Sequence, residues 1–189
     1  MRIRIIIFLL FLQVFLFSAV AFARVNSFTF YIYEFTPRTK TSGAFFVETR
    51  GLNVKEIAAW YEKRGNFILK ERGNIEVGIS KAGQYSSEKR IDISPQPPAS
   101  IKFFSKPYIV GTALSLRVFS SHIRGHFKYA RETGEINVLK TGGVVYKAPV
   151  IAEVSSPILG YLKANEPFVF SRHNASIGTV VLIIAPVEK

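Results

Sequence analysis

The sequence predicts a mainly β protein, of the α+β type, with one short amphipathic helix. Three observations support this class. Strict alternation of side chains recurs along the chain, and a period of two is typical of strands. One segment near residue 55 has helical periodicity instead. The other segments are short and lie between turn-forming residues. We expect an antiparallel sheet or sandwich, or a domain that contributes strands to a barrel.

The first 23 residues have the three parts of a secretory signal peptide. Arg2 and Arg4 precede an apolar run that begins at Ile5, and Ala21-Phe22-Ala23 is a small-residue cleavage sequence. The alternative is an uncleaved membrane anchor, because the run is almost long enough to cross a bilayer. The cleavage sequence favours removal. We therefore expect an exported protein, located in the periplasm, in the outer membrane or outside the cell.

Residues 24–189 are enough for a single mostly β domain with a real core. The proline-rich segment Ser94–Ser100 is the best candidate for an internal boundary. The chain contains no cysteine. Packing, ligands or association must therefore stabilise the exported protein in place of disulfides.

The first predicted strand is Val25–Phe35, which alternates cleanly. Its two faces are Phe28, Phe30 and Ile32 on one side and Thr29, Tyr31 and Tyr33 on the other. A polar turn follows, and Ala44–Arg50 is predicted as a second short strand.

The predicted helix begins at Asn53, with Glu56 three residues later as in a capping box. Its apolar stripe consists of Val54, Ile57, Ala58 and Tyr61, at the spacing of one helical face. Gly65 is the predicted stop signal at the carboxyl end. The sequence therefore predicts one amphipathic helix over about three turns.

The next residues, Phe67–Ile79, are predicted to form a hairpin that turns at Gly73-Asn74. A meander follows the proline-rich segment. Its predicted strands are Thr112–Phe119, His126–Ala130, Glu135–Leu139 and Val144–Ala148, with turns at residues 120–125, 131–134 and 140–143. The final strand, Gly178–Val187, is the most apolar and is predicted to lie in the core.

The segment Ala148–Phe170 is apolar but contains Pro149, Pro157 and Pro167. Proline has no N–H to donate to a neighbouring strand, so a buried central strand should not contain one. The pattern predicts a strand that is interrupted repeatedly.

The sequence offers few candidates for catalysis or metal binding, and we expect a protein that is not an enzyme and needs no cofactor. His122 and His126 share a strand face and are weak candidates for a two-histidine metal site without a third ligand. Two glutamate pairs are candidates for acid–base chemistry because each is predicted to flank a turn, although cross-strand charge pairing is the ordinary explanation. These pairs are Glu71 with Glu76 and Glu132 with Glu135.

The chain is strongly basic, with a formal net charge of +12. Its Lys and Arg residues are scattered, which is typical of a solvated surface. The alternative is attraction to acidic polymers outside the cell, such as lipopolysaccharide, acidic glycans or DNA, with no specific nucleic-acid target.

Several segments together resemble secretins, the ring-forming outer-membrane channels of type II and type III secretion and of type IV pili. They are Val144–Ile151, Ser155–Ala164, Asn165–Phe168 and Ile177–Val187 in the central and following motifs, and Val25–Phe35 at the opening strand. The resemblance implies structural roles for Glu34, Gly43, Pro149, Ser155, Ser156, Gly160, Glu166, Pro167, Gly178 and Pro186. It also implies a subunit that associates with itself or with other secretion or pilus proteins of the envelope.

Two other hypotheses stay open at this point. An exported β protein without cysteine also fits a fibre or adhesin subunit, in which the apolar strand Phe28–Phe35 would complete a neighbour's sheet. A monomeric basic protein that binds an acidic envelope polymer is the third possibility.

Overall fold

The computed structural model describes residues 26–39, 50–78, 81–93, 107–141, 143–163 and 165–187. The predicted signal peptide, the proline-rich segment Ser94–Ser100 and Gly43 lie outside the described residues. So does almost all of the strand predicted at Ala44–Arg50.

The described part of the chain forms nine strands and one helix, which confirms a mainly β fold with a single short helix. In chain order they are β1 (Asn26–Pro37), α1 (Val54–Glu62), β2 (Gly65–Val77), β3 (Gly83–Ser86), β4 (Lys89–Ile91), β5 (Tyr108–Phe119), β6 (His122–Thr141), β7 (Val144–Tyr161), β8 (Phe168–Asn174) and β9 (Gly178–Pro186). One antiparallel sheet has the order β2-β1-β9-β8. The other has the order β3-β5-β6-β7, with β4 also paired to β5.

The two sheets enclose one apolar core between their inner faces. Fully buried members come from both sheets, among them Phe30, Ile32 and Leu182 on the first and Phe127 and Ile158 on the second. The core thus combines strands that precede the proline-rich segment with strands that follow it. That segment therefore does not separate two cores.

Strand β9 lies between β1 and β8, and its middle is buried on both faces, as predicted. Val180, Leu182 and Ile184 point into the core between the sheets, whereas Val181 and Ile183 pack under the helix with Ile57 and Tyr61. A strand covered on both sides reads as a continuous apolar run, which explains its sequence.

The helix α1 covers the outer face of the first sheet. Its amino end carries the predicted capping box, in which Asn53 and Glu56 each accept a hydrogen bond from the other's backbone N–H. The prediction for Gly65 was wrong: the helix ends at Glu62, and Gly65 is the first residue of β2. A Cβ there would overlap the backbone of Thr36 in β1, so the glycine allows β2 to lie close to β1. No helix in the described part is long and apolar enough to cross a membrane.

The hairpin predicted at Gly73-Asn74 is wrong, because β2 runs straight through both residues while pairing with β1. Gly73 lies opposite Phe30, and a Cβ there would meet the Phe30 ring at 2.5 Å. The glycine therefore makes room for a core ring and does not mark a turn. As a result, Glu71 and Glu76 lie on one strand and do not flank a turn.

The turn predicted at residues 131–134 is also wrong. Strand β6 continues through these residues, and two bulges opposite β7, at Thr133 and Val138, absorb the polar stretch. Glu132 and Glu135 therefore lie on the same strand. Beyond Ala130, which still pairs with Gly111 of β5, the paired strands β6 and β7 project as a long arm.

The prolines of β7 do not interrupt the strand, which corrects that prediction. Strand β7 is continuous through Pro149 and Pro157 and lies at the end of its sheet, where, among the described strands, its backbone ladder is with β6 alone. An edge strand tolerates proline because the missing N–H would point away from its single partner. Pro167 is buried just before β8.

The open side of β7 is joined to β8 by side chains. Arg172 donates from Nε to Ser156 Oγ at 3.0 Å, and Asn174 donates from Nδ2 to the Glu153 carbonyl at 3.0 Å. These contacts close the corner between the sheets without a backbone ladder.

Candidate functional site

The residues implied by the secretin resemblance are dispersed over the described fold. Ser155 is exposed on β7, Ser156 is buried beside it, and Pro186 ends β9. Glu166 forms an ion pair with Lys163 at 3.4 Å in the connection from β7 to β8. The secretin resemblance stays a prediction.

Two glycines of that set have a clear steric reason. Gly160 faces the ring of Phe168, which a Cβ would overlap. Gly178 opens β9 with a φ of +81°, in the region that favours glycine, and a Cβ there would lie 3.0 Å from the Phe35 carbonyl oxygen.

Glu34 is buried at the centre of an ionic cluster that joins the two sheets. Tyr129 Oη donates to its Oε1 at 2.9 Å, Arg131 Nε lies 2.9 Å from the same oxygen, and Lys70 Nζ lies 3.3 Å from Oε2. The Arg131 Nε–H does not point at a partner, so that contact is one of charge and not a hydrogen bond. Lys70 reaches the cluster because it is the extra residue of a bulge in β2.

A second glutamate, Glu71, which was expected beside a turn, has a similar arrangement. Glu71 on β2 accepts hydrogen bonds from Tyr85 Oη at 2.7 Å and from Thr112 Oγ1, both on the opposite sheet. Thr112 is fully buried. The hydrogen bond to Glu71, with burial, raises the pKa of Tyr85, and burial, with the hydrogen bond to Glu34, raises that of Tyr129.

The two glutamates therefore link the two sheets through hydrogen bonds. Each carboxylate accepts a tyrosine hydroxyl from the facing sheet, and cations balance the charge of Glu34. Raised tyrosine pKa values keep both hydroxyls protonated as donors. A set of groups that satisfy one another in this way stabilises the fold.

The two histidines proposed for a metal do not converge. His122 and His126 both lie on the outer face of β6, but four residues of strand separate them by about 13 Å, too far to share one ion. His122 packs on Tyr161 with ring centroids 4.5 Å apart, and His126 Nε2 lies 3.3 Å from Ser155 Oγ. Among the described residues, no group of three metal-binding side chains occurs.

The outer face of the second sheet carries an exposed cluster where β5 turns into β6. The pairing places Phe119, His122 and Tyr161 in one row across β5, β6 and β7. Arg117, Arg124 and Leu159 form the next outward row. We call these six residues the basic–aromatic face. It lies on the opposite side of the molecule from α1.

The apolar members of this face are far more exposed than their type usually is. Tyr161 is 70% exposed, Leu159 is 68% exposed and Phe119 is 50% exposed. Apolar clusters left open to water often mark binding surfaces.

The charge of the face is unbalanced. Arg117 and Arg124 are directly opposite each other on neighbouring strands, and neither has an acidic partner among the residues that the structure describes. Like charges in this position destabilise a sheet. By contrast, Lys128, further along β6, is paired with Glu88 at 2.9 Å and with Glu153 at 3.7 Å. The hydrogen bond to Glu88 is the main reason that the pKa of Lys128 is raised.

A groove of about 300 Å³ opens on the same outer face, next to the basic–aromatic face. Gln84, Ser86, Ser115 and His126 line it with polar groups, and the carboxylate of Glu88, which is paired with Lys128, also lines it. Together, the face and the groove offer cations, rings and hydrogen-bonding side chains to one ligand.

The sequence predicts neither the ionic cluster of Glu34 nor the basic–aromatic face, and only the cluster has a local signal. In β1, Glu34 continues the alternation of Phe28, Phe30 and Ile32, and a charge at an inward position indicates a buried partner. The basic–aromatic face has no local signal, because its members come from three strands and meet only through the register.

No family model, curated protein or solved structure matches this chain.

Proposed function

We propose that the protein is a non-enzymatic binding domain for an anionic polymer, which it holds on the basic–aromatic face. The ligand class is one that carries phosphate, sulfate or carboxylate groups, as acidic polymers of the cell envelope do. This proposal develops the third of the hypotheses that the sequence left open.

The observation that carries the proposal is the pair Arg117 and Arg124. Two guanidinium groups placed opposite each other without an acidic partner in the described part repel each other in the free protein. An anionic group between them would remove the repulsion and accept their paired N–H donors. The rings of Phe119 and Tyr161 lie in the neighbouring row and supply apolar contact to the ligand.

The fibre hypothesis receives less support from the fold. Strand β1, which contains the proposed donor Phe28–Phe35, is paired on both sides, with β2 and with β9. It also buries Phe28, Phe30 and Ile32 in its own core. Donation to a neighbour would require the protein to give up the centre of its first sheet.

The experiment is a titration of the fluorescently labelled protein with polyphosphate at several salt concentrations. Binding is measured by fluorescence anisotropy. We expect the double variant Arg117→Ala/Arg124→Ala to lose about tenfold or more in affinity, since two charge-assisted contacts disappear. Wild-type affinity should fall as salt rises, because exposed charges are screened within about 8 Å at physiological ionic strength.

The matched control is Lys55→Ala/Lys63→Ala, which removes the same charge from exposed positions on the helix side. We expect this control to bind nearly as well as the wild type. Equal losses in both double variants would show that net charge alone attracts the polymer, and the proposed site would be wrong.

A further inference from the structure

The basic–aromatic face contains one feature that an ordinary soluble polyanion does not use. Leu159 is an aliphatic side chain with no polar atom, yet it is 68% exposed. It lies opposite Arg124 on the neighbouring strand. It can neither stack on a sugar or base nor donate a hydrogen bond. Tyr161, two residues later on the same face of β7, projects beside it.

The position of these side chains suits a planar partner. The face lies at the end of the sheet where β5 turns into β6 at Ser120-Ser121. Phe119 is the last residue of β5, and Tyr161 is the last residue of β7. Phe119 and Tyr161 therefore lie in the exposed row at this end of the sheet, and the two arginines lie with Leu159 in the row behind it.

This combination of groups suits a lipid surface. Apolar side chains gain free energy by entering the acyl boundary, tyrosine is suited to the headgroup level, and arginines beside them meet the phosphates. In the described rows that contain Phe119 and Leu159, none of the outward residues is acidic, and Glu88 and Glu153, further along the same outer face, are paired with Lys128.

We infer that the occupant of the basic–aromatic face is the headgroup layer of a phosphate-bearing lipid surface. Leu159 and Tyr161 insert, while Arg117 and Arg124 bind phosphates. The inference rests on the proposed function, because it uses the same face and names the source of its anionic groups.

The test is co-flotation of the purified protein with vesicles of phosphatidylcholine, with and without phosphatidylglycerol. The wild type should float only with the anionic vesicles. The double variant Leu159→Ser/Tyr161→Ser should lose about tenfold in vesicle affinity, because it removes apolar area that would otherwise leave water. It should lose less affinity for polyphosphate than Arg117→Ala/Arg124→Ala does, because both arginines remain.

A second variant reports insertion directly. Tyr161→Trp should retain vesicle binding, and its emission, measured as the difference from the wild type, should shift to shorter wavelength when anionic vesicles are added. Both substituted positions are exposed, so thermal unfolding of each variant should match that of the wild type.

The outcomes separate this inference from the proposed function. Unchanged vesicle affinity in the Leu159→Ser/Tyr161→Ser variant would overturn insertion and leave adsorption by charge alone. Binding of polyphosphate without binding of anionic vesicles would overturn the lipid inference and leave the proposed function standing. If the protein bound neither polyphosphate nor anionic vesicles, both the lipid inference and the proposed function would be wrong.

Discussion

At the scale of single residues, Glu34 is the most demanding position, because it is buried with two cations and a tyrosine around it. Glu34→Ala leaves those groups without their anion. We expect a loss of about 2–4 kcal/mol in the free energy of unfolding, measured by urea denaturation.

The control for Glu34 is Glu135→Ala. Glu135 pairs with Lys147 at 3.5 Å, but both side chains are about half exposed. Exposed pairs contribute at most about 1 kcal/mol, so the control should stay close to the wild type. Equal losses of unfolding free energy in the two variants would contradict the proposal that Glu34 links the two sheets.

Tyr61 provides a contrast with Tyr129. The Tyr61 side chain is fully buried against Phe35 and Phe67, but its hydroxyl has no hydrogen-bond partner among the described residues. Tyr61→Phe keeps the ring contacts and removes an unsatisfied group, so stability should stay equal or rise by about 1 kcal/mol. Tyr129→Phe removes the bond to Glu34 and should lower stability by about 1–3 kcal/mol.

Tyr61 also makes the stability of the fold depend on pH in the alkaline range. Burial raises the pKa of Tyr61 from 10.0 to about 12. Between these values the unfolded chain releases a proton that the folded chain retains, so stability falls as pH rises through this interval and the contribution is fully present below pH 10. Thermal melts from pH 9 to pH 12, an interval chosen to span both pKa values, should show a smaller loss for Tyr61→Phe than for the wild type. An identical loss would contradict this assignment.

At the scale of elements, the second sheet depends on close approach at Gly125. A Cβ there would overlap the carbonyl oxygen of Ser115 on β5. Gly125→Ala should therefore destabilise the protein by about 1–3 kcal/mol, as measured by denaturant unfolding.

Gly134 offers a matched comparison on the same strand. Nothing lies within 4 Å of a Cβ built at Gly134, and its φ is not positive. Gly134→Ala should be neutral or stabilise by up to about 1 kcal/mol, because it restricts the unfolded chain. If Gly134→Ala cost as much as Gly125→Ala, the steric explanation would fail.

Pro149 separates two interpretations of β7. In the arm formed by β6 and β7, proline removes a donor from the open edge of the strand, a common protection against edge-to-edge association. Pro149→Thr should therefore increase self-association, measured by light scattering. The secretin-like hypothesis predicts the reverse, namely loss of an assembly that the wild type forms.

Local sequence patterns predict some strands and the helix correctly and others wrongly. The helix cap at Asn53, the alternation of β1 and the apolar run of β9 are local patterns, and the structure confirms all three. Gly73 and Gly125 are read wrongly as turn signals, because a glycine needed for close strand approach looks the same as one needed for a turn. Pro157 is informative only once β7 is known to be an edge.

At the scale of the whole molecule, charge and packing divide the protein into two sides. One sheet is covered by α1, which closes its outer face with apolar contacts. The other sheet leaves its outer face open, with Arg117 and Arg124 beside exposed rings. Composition shows only the net charge of +12, and the register of three strands is needed to show where part of that charge is left unpaired.

The most direct test of the central claim is to map the binding site with amide chemical shifts. A ¹⁵N-labelled chain of residues 24–189 would be titrated with polyphosphate and the shift of each amide followed. If the basic–aromatic face binds the polymer, the largest shifts should fall at Arg117–Arg124 and Leu159–Tyr161. Shifts concentrated on α1 or on the arm of β6 and β7, with those two segments unchanged, would contradict it.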